Sequence, residues 1–214
     1  MSVDRTTSGA GGSVAKRLTD LGVASVALVL AAPVLLAAAA AVAVSMGRPV
    51  WYSQVRTGRG MRPFRVYKLR TMSDRRDAHG RLLPDSERLT RVGRFLRRSS
   101  LDELPSLINV LRGDLSLVGP RPLLPRYDAW YTERERLRFT VRPGITGLAQ
   151  VSGRNTLSWD DRLELDARYV DAWTYGLDLR IVARTVGRLV SGGGAVPDPT
   201  RLMADLDQER SGRG

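Results

Sequence analysis

The longest apolar block in the chain, LGVASVALVLAAPVLLAAAAAVAVSM at residues 21–46, carries no charge. About 20 apolar residues suffice to cross a bilayer as a helix, so the block reads as a membrane helix. Pro33 near its middle removes one helix hydrogen bond and kinks the helix there. Downstream the period changes. Residues 50–55 and 64–69 are β-branched and aromatic pieces flanking TGRG at 57–60, the pattern of a β-hairpin. Alternation puts Arg65 and Arg70 on opposite faces, with Lys68 on the face of Arg70. Residues 74–90 are polar and loop-like, and RVGRFLRR at 91–98 is a short basic element. Leu101, Leu104, Leu107, Ile108 and Leu111 then recur at helical spacing. Ser100 and Glu103 fit a capping box at the start of that helix. Pro105 is tolerated in a first turn, and Gly113 is placed to end the helix. Residues 115–118 read as a short buried strand, GPRP at 119–122 as a stiff loop, and residues 127–138 as a charged helix. Ser158 caps a helix to about Tyr175, and residues 177–190 form a second amphipathic helix with Arg180, Arg184 and Arg188 along one face. That helix suits a membrane interface or packing on the core. The expected class is α+β, mostly helical, with a small β-hairpin or sheet. Residues 1–15 are expected to be disordered, 16–47 to form the membrane helix, 48–190 a globular domain, and 191–214, beginning SGGG, a flexible tail.

Charge narrows the partners. The 214 residues hold 34 Lys and Arg against 22 Asp and Glu, a net charge of +12. This balance favours polyanions: nucleic acid, anionic lipid headgroups or phosphorylated substrates. Cysteine is absent and His79 is the single histidine, which excludes disulfides and Cys/His zinc sites. His79 lies in a polar, turn-rich stretch and reads as a solvated loop residue. Catalytic chemistry here would rest on carboxylates, Lys, Arg and a hard cation such as Mg²⁺.

Basic residues flank the apolar block on both sides: Lys16 and Arg17 before it, Arg48, Arg56, Arg59, Arg62 and Arg65 after it. A straight span puts one basic flank outside, against the tendency of Lys and Arg to remain cytoplasmic. A helix that bends at Pro33 and returns keeps both inside. A plain span with a tolerated proline is the alternative, and the residues alone leave both open.

The candidate chemistry centres on SSLDELPSLINVLRGDLSLVGPRP at 99–122. Asp102 and Glu103 are adjacent carboxylates at a helix start, where the macrodipole stabilises an anion by about 0.3–1 kcal/mol. Such a group can act as a nucleophile or a metal ligand; simple capping is the other reading. Prolines on both sides of Arg121 fix its backbone, so less entropy is lost on binding a ligand. In VRPGITGLAQVSGRN at 141–155, three glycines and a proline suggest a close backbone turn, with Arg142, Gln150 and Arg154 as its polar reach.

The string RVGRFLRRSSLDELPSLINVLRGDLSLVGPRP, with KLRTM before it and RPGITGLAQVSGRN after it, resembles the bacterial sugar transferases, the monotopic polyprenyl-phosphate hexose-1-phosphate transferases, in their minimal form. The resemblance covers roughly residues 18–190 and three long motifs in order. It implies transfer of a sugar-1-phosphate from a UDP-sugar to a polyprenyl (undecaprenyl) phosphate, with release of UMP. The reaction begins lipid-linked glycan assembly of exopolysaccharide, capsule or O-antigen type. It implies Asp102 as nucleophile, carrying a covalent phosphosugar, and Glu103, with Asp102, holding Mg²⁺. Lys68, Arg97, Arg121, Arg154 and Gln150 would bind phosphate or nucleotide. It implies a re-entrant helix broken at Pro33, although Ala32 stands where a serine is usual, and a domain on the cytoplasmic face of the inner membrane. Nucleic acid is not an expected partner, and a homodimer is left open. A membrane-tethered basic anion-binding module without catalysis is the competing reading; it leaves the paired carboxylates inside the basic region unexplained. A phosphohydrolase using the same dyad with water is a third.

Overall fold

The computed structural model describes residues 13–153, 157–191 and 204–212. The expected disorder of residues 1–15 therefore falls, for residues 1–12, outside the described residues. From Ser13 onward the chain is ordered as helix: the Ser13 hydroxyl accepts from the Lys16 N–H and caps helix α1 (Val14–Met46). This helix is long and apolar enough to cross a membrane, and only 11 % of its most apolar window is buried, unlike a helix in a soluble core.

Helix α1 is α-helical throughout, the exposed Pro33 included. It touches the rest of the protein through two separate arms. In the first arm, Ala24, Ala27 and Leu28 pack against Leu107, Val110 and Leu115. In the second, Leu35, Ala38, Ala39 and Val42 pack against Leu69 and Leu96. Val29, Leu30, Val34 and Leu36 are exposed. Polar contacts fasten both ends. Lys16 pairs with buried Asp178 at 2.5 Å, and Asp20 accepts from the Ser116 hydroxyl and the Leu117 N–H. At the other end the Arg70 guanidinium donates to the Met46 and Pro49 carbonyls.

Strands β1 (Trp51–Thr57) and β2 (Pro63–Leu69) form the expected antiparallel hairpin, with Trp51 opposite Leu69 and Thr57 opposite Pro63. Two short helices come next, α2 (Asp85–Arg88) and α3 (Arg91–Ser99). The expected helix from Ser100 is corrected here. Ser100 is left-handed (φ 57°) and ends α3 rather than capping a new helix, and its side chain makes no cap bond. Residues Leu101–Ser106 form a 3₁₀ turn, and α4 (Leu107–Arg112) begins only after Pro105. Proline has no N–H to give an i−4 carbonyl, so the α-helical ladder starts beyond it.

Strand β3 (Ser116–Val118) pairs in parallel with β4 (Gly144–Thr146), Ser116 opposite Gly144 and Val118 opposite Thr146. The close turn expected in 141–155 is present, and the backbone it approaches is the chain's own. A Cβ on Gly144 would sit 2.1 Å from the Gly119 nitrogen, and one on Gly147 2.1 Å from the Gly119 oxygen. Only glycine fits there.

The charged helix expected over 127–138 is instead a 3₁₀ turn (Pro125–Trp130), the short α5 (Glu133–Arg136) and another 3₁₀ turn (Leu137–Thr140). Tyr131 is extended, and Thr132 with Glu135 makes a true capping box that starts α5. Helix α6 (Leu148–Ser152) leads to α7 (Trp159–Asp171), capped by Ser158, and α8 (Tyr175–Val190), capped by Thr174. Ile181 of α8 is buried with Val118, Val141, Val151 and Tyr169, whereas Tyr175, Leu179, Val182, Val186 and Leu189 are exposed along its outer side.

The tail expected over 191–214 is also corrected, for its described part. Helix α9 (Leu206–Ser211) docks on the body. Leu206 is fully buried with Leu123, Tyr127, Tyr131, Phe139, Trp159 and Leu163. Asp205 accepts from Tyr127, and Arg210 pairs with Glu135 at 2.5 Å and Asp160 at 3.0 Å.

Candidate active site

Strand β2, the 3₁₀ turn and the GPRP loop converge on Glu103. Its Oε1 accepts from Lys68 Nζ at 2.6 Å and from an Arg121 Nη at 2.8 Å. Asn109, fully buried on α4, sets the distance between strand and turn. Its side chain accepts from the Tyr67 N–H and donates to the Arg65 carbonyl, flanking the backbone that presents Lys68. Arg121 is positioned from behind: Arg138 donates to the Arg121 carbonyl and pairs with Asp166 at 3.2 Å, both side chains 3 % exposed. Removing either partner of such a pair leaves an uncompensated buried charge, a loss of about 3–5 kcal/mol.

Asp102 stands beside this cluster under different rules. It is 7 % exposed, and among the described residues no donor reaches its carboxylate. Burial, then the charge of Glu103, pushes its pKa up to about 6, against the opposing pull of Lys68, Arg97 and Arg121. Burial alone would raise the Glu103 carboxyl too. There the charges and hydrogen bonds of Arg121 and Lys68 win and hold it well below the usual carboxylate range. The neighbouring carboxyls are thus driven apart, one firmly ionised and bonded, the other unbonded and close to its titration point. Burial lowers the Lys68 pKa, and the Glu103 charge opposes the shift.

Of the residues singled out by sequence, Lys68, Asp102, Glu103 and Arg121 come together. Arg97 is near enough to act on Asp102 electrostatically, while its Nε donates to Thr71 Oγ1 at 3.0 Å. Gln150 is buried on α6 with neither end of its amide bonded, and it does not line the cavity around Glu103. Arg154 lies outside the described residues. Arg70 does not face the cavity: it is 9 % exposed, engaged by Asp74 and carbonyls at the end of α1. His79 is exposed in a turn. The cavity that Lys68, Glu103 and Arg121 share is also lined by Arg56, Ser106, Pro122 and Gly144. Arg56 is a site residue that the sequence motifs do not single out. It adds a third cation to Lys68 and Arg121; burial and the Arg121 charge lower its pKa, and its guanidinium donates to Gln54 Oε1 at 2.6 Å. Strand alternation, which puts Gln54 and Arg56 on one face of β1, is the signal that could have found it.

Among the described residues no group of three or more His, Cys, Asp and Glu could enclose a metal ion by itself. The Asp102–Glu103 pair nevertheless suits a hard cation of the Mg²⁺ type, which takes one or two carboxylates and completes its shell with water and substrate phosphates. The unbonded Asp102 carboxylate and the Oε2 side of Glu103 are the oxygens available.

A family model described as bacterial sugar transferase matches residues 11–192. The chain is 52 % identical to an uncharacterized sugar transferase, EpsL, of Bacillus subtilis over 84 % of this chain and 90 % of that one. It is 43 % identical to a UDP-glucose:undecaprenyl-phosphate glucose-1-phosphate transferase of Caulobacter vibrioides over 82 % and 70 %. With the exopolysaccharide production protein ExoY of Rhizobium meliloti the identity is 39 % over 82 % and 85 %. The chain belongs to the bacterial sugar transferase family.

Proposed function

We propose that this protein moves a sugar-1-phosphate from a UDP-sugar to a polyprenyl phosphate at the cytoplasmic face of the inner membrane, starting a lipid-linked glycan of the exopolysaccharide type. The observation that carries the reading is the pairing of a buried, unbonded Asp102 with a Glu103 held by Lys68 and Arg121. The relatives named as undecaprenyl-phosphate glucose-1-phosphate transferases support the donor and acceptor classes.

In the first step an Asp102 carboxylate oxygen attacks the β-phosphorus of the UDP-sugar. An oxygen–phosphorus bond forms, the bond to the bridging oxygen breaks, and UMP leaves with that electron pair. In the second, the polyprenyl phosphate oxygen attacks the same phosphorus, the aspartyl–phosphorus bond breaks, and Asp102 recovers its carboxylate. No proton transfer is required, which matches a site built without histidine or cysteine. Attack by an anion on a diphosphate is repulsive. Lys68, Arg121 and Arg56 offset that charge from one side, with Arg97 near Asp102. A Mg²⁺ ion, held through Glu103 and Asp102, would supply further charge neutralisation at the diphosphate. Gln150 and Arg154 remain candidates for the nucleotide end.

The two-armed seat of α1 supports a re-entrant helix with its apex near Pro33, because Lys16 and Met46 both attach to the same body. Cysteines placed at Ala15 and Asp74 should then both be labelled from the cytoplasmic side alone, and labelling from opposite sides contradicts re-entry. The chemistry is tested with membranes, a panel of UDP-sugars, Mg²⁺ and polyprenyl phosphate, following UMP and lipid product. Turnover lost in Asp102→Ala and on chelation is expected, with a phosphosugar adduct trapped on Asp102. Undiminished turnover in Asp102→Ala removes its role as nucleophile.

A further inference from the structure

A second cation-rich cavity lies away from the dyad. It has a volume of about 410 Å³ and is lined by Arg59, Gly60, Arg62, Gly113 and Arg142. Lys68 lies six positions beyond Arg62 along β2, about 20 Å at the rise of a strand. Gly113 ends α4, so the cavity sits at the opposite end of that helix from Glu103.

Two guanidinium groups are fixed there by backbone. Arg142 Nε donates to the Gly113 carbonyl at 3.0 Å, and its Nη groups make no hydrogen bond with the described residues. Arg17 donates to the Val110 and Leu111 carbonyls at 2.6 and 3.1 Å, with one Nη beside Gly113. These bonds satisfy the C-terminal carbonyls of α4, a structural use for both residues. They also hold like charges together without neutralising them. Burial lowers the Arg142 pKa, and the charges of Arg17 and Arg59 lower it further. Asp20 opposes this weakly, its carboxylate already serving Ser116 and Leu117. Clustered cations pre-set in a concave site cost free energy that a bound anion offsets.

We infer that this arginine cavity, formed by Arg59, Arg62 and Arg142 with Arg17 at its edge, is a second anion site that takes a phosphate group. Guanidinium forks match phosphate oxygens geometrically. Arg17 lies on α1 just ahead of the uncharged run that begins at Leu21, at the level of lipid headgroups. The phosphate can therefore come from an anionic phospholipid or from a soluble phosphate compound. The site shares no lining residue with the cavity around Glu103, so it stands whether or not the proposed transfer is right.

The test is native mass spectrometry of the full chain released from nonionic micelles, titrated in three arms: dihexanoyl-phosphatidylglycerol, the phosphatidylcholine of the same chain length, and inorganic phosphate. The wild type should retain phosphatidylglycerol well ahead of phosphatidylcholine. The double variant Arg59→Gln/Arg62→Gln, altered at exposed positions, should need roughly tenfold more ligand per arginine removed. Arg121→Gln should leave this binding unchanged. An adduct in the lipid arm alone assigns the site to a headgroup; one also seen with inorganic phosphate, and lost in the double variant, extends it to soluble phosphates. Equal retention of both lipids, a double variant that titrates like wild type while its circular dichroism is unchanged, or a wild type with no adduct in any arm overturns the inference.

Discussion

Replacing Asp102 with Asn should make the protein inactive and, relative to wild type, progressively more stable as the pH rises. The carboxyl titrates at about 6 in the folded protein against 3.8 in the unfolded chain. Two pKa units at 1.36 kcal/mol each amount to about 3 kcal/mol. A carboxyl whose folded pKa is raised contributes stability that is complete below pH 3.8 and lost as the pH rises through about 6. At pH 8 the wild type therefore carries an ionised, desolvated carboxylate that the Asn variant lacks. At pH 3.5 the folded carboxyl is neutral, as the amide is. Asn brings its own cost, a buried amide without partners, but that cost is the same at both pH values. The measurable quantity is the difference: the variant's stability relative to wild type should be about 3 kcal/mol more favourable at pH 8 than at pH 3.5. For a domain of this size that is about 6–12 °C in the thermal midpoint. Thermal unfolding of the full chain in nonionic micelles, followed by circular dichroism at the two pH values, reads it. An equal effect of the substitution at both values, or a larger gain at pH 3.5, refutes the account of Asp102 as a carboxylate strained by burial.

The same titration should appear in kinetics. In the proposed mechanism the free enzyme uses Asp102 ionised, so kcat/KM should fall tenfold per pH unit below about 6; a profile flat from pH 5 to 8 contradicts the assignment. Arg121→Gln and Lys68→Met each remove one of the two cations on Glu103 and should lower kcat by about 10²–10³ with secondary structure retained. Near-normal turnover in both would leave the cluster without a catalytic role. Leu206→Ala empties a fully buried position between α9 and the aromatic cluster and should cost about 2–5 kcal/mol in denaturant unfolding; a loss under about 1 kcal/mol would mean that α9 is weakly attached.

Legibility in the residues tracked the length of the signal. The hairpin, α1, α7 and α8 each carry a sustained pattern and, for the helices, a hydroxyl cap, and all four are present. The failures lie where a short local pattern was overruled. Ser100 and Glu103 match a capping box, yet Ser100 turns left-handed because α3 ends on it and Pro105 delays the next α-helix. Strand β3 lies within the apolar run 115–118 that reads as a buried strand, but β4 has three residues and pairs with it across a long separation, so no local pattern announces β4. Helix α9 depends on a single leucine in a polar setting. At the site, the chemical character of Lys68, Asp102, Glu103 and Arg121 was visible as residue type and motif. Their supports were not: Asn109, a polar residue inside the apolar run of α4, and the Arg138–Asp166 pair act through long-range contacts.

The grip on both ends of α1 has a mechanical consequence. A domain hung from one spanning helix by a loose connector samples many heights and orientations above the lipid. Here Lys16, Arg17 and Asp20 clasp one end and Arg70 clasps the other. The depth of α1 in lipid and the altitude of the candidate site are therefore one rigid dimension. Lipid thickness and curvature then become variables of turnover, since the acceptor phosphate rides at a level the bilayer sets while the site rides at a level the protein sets.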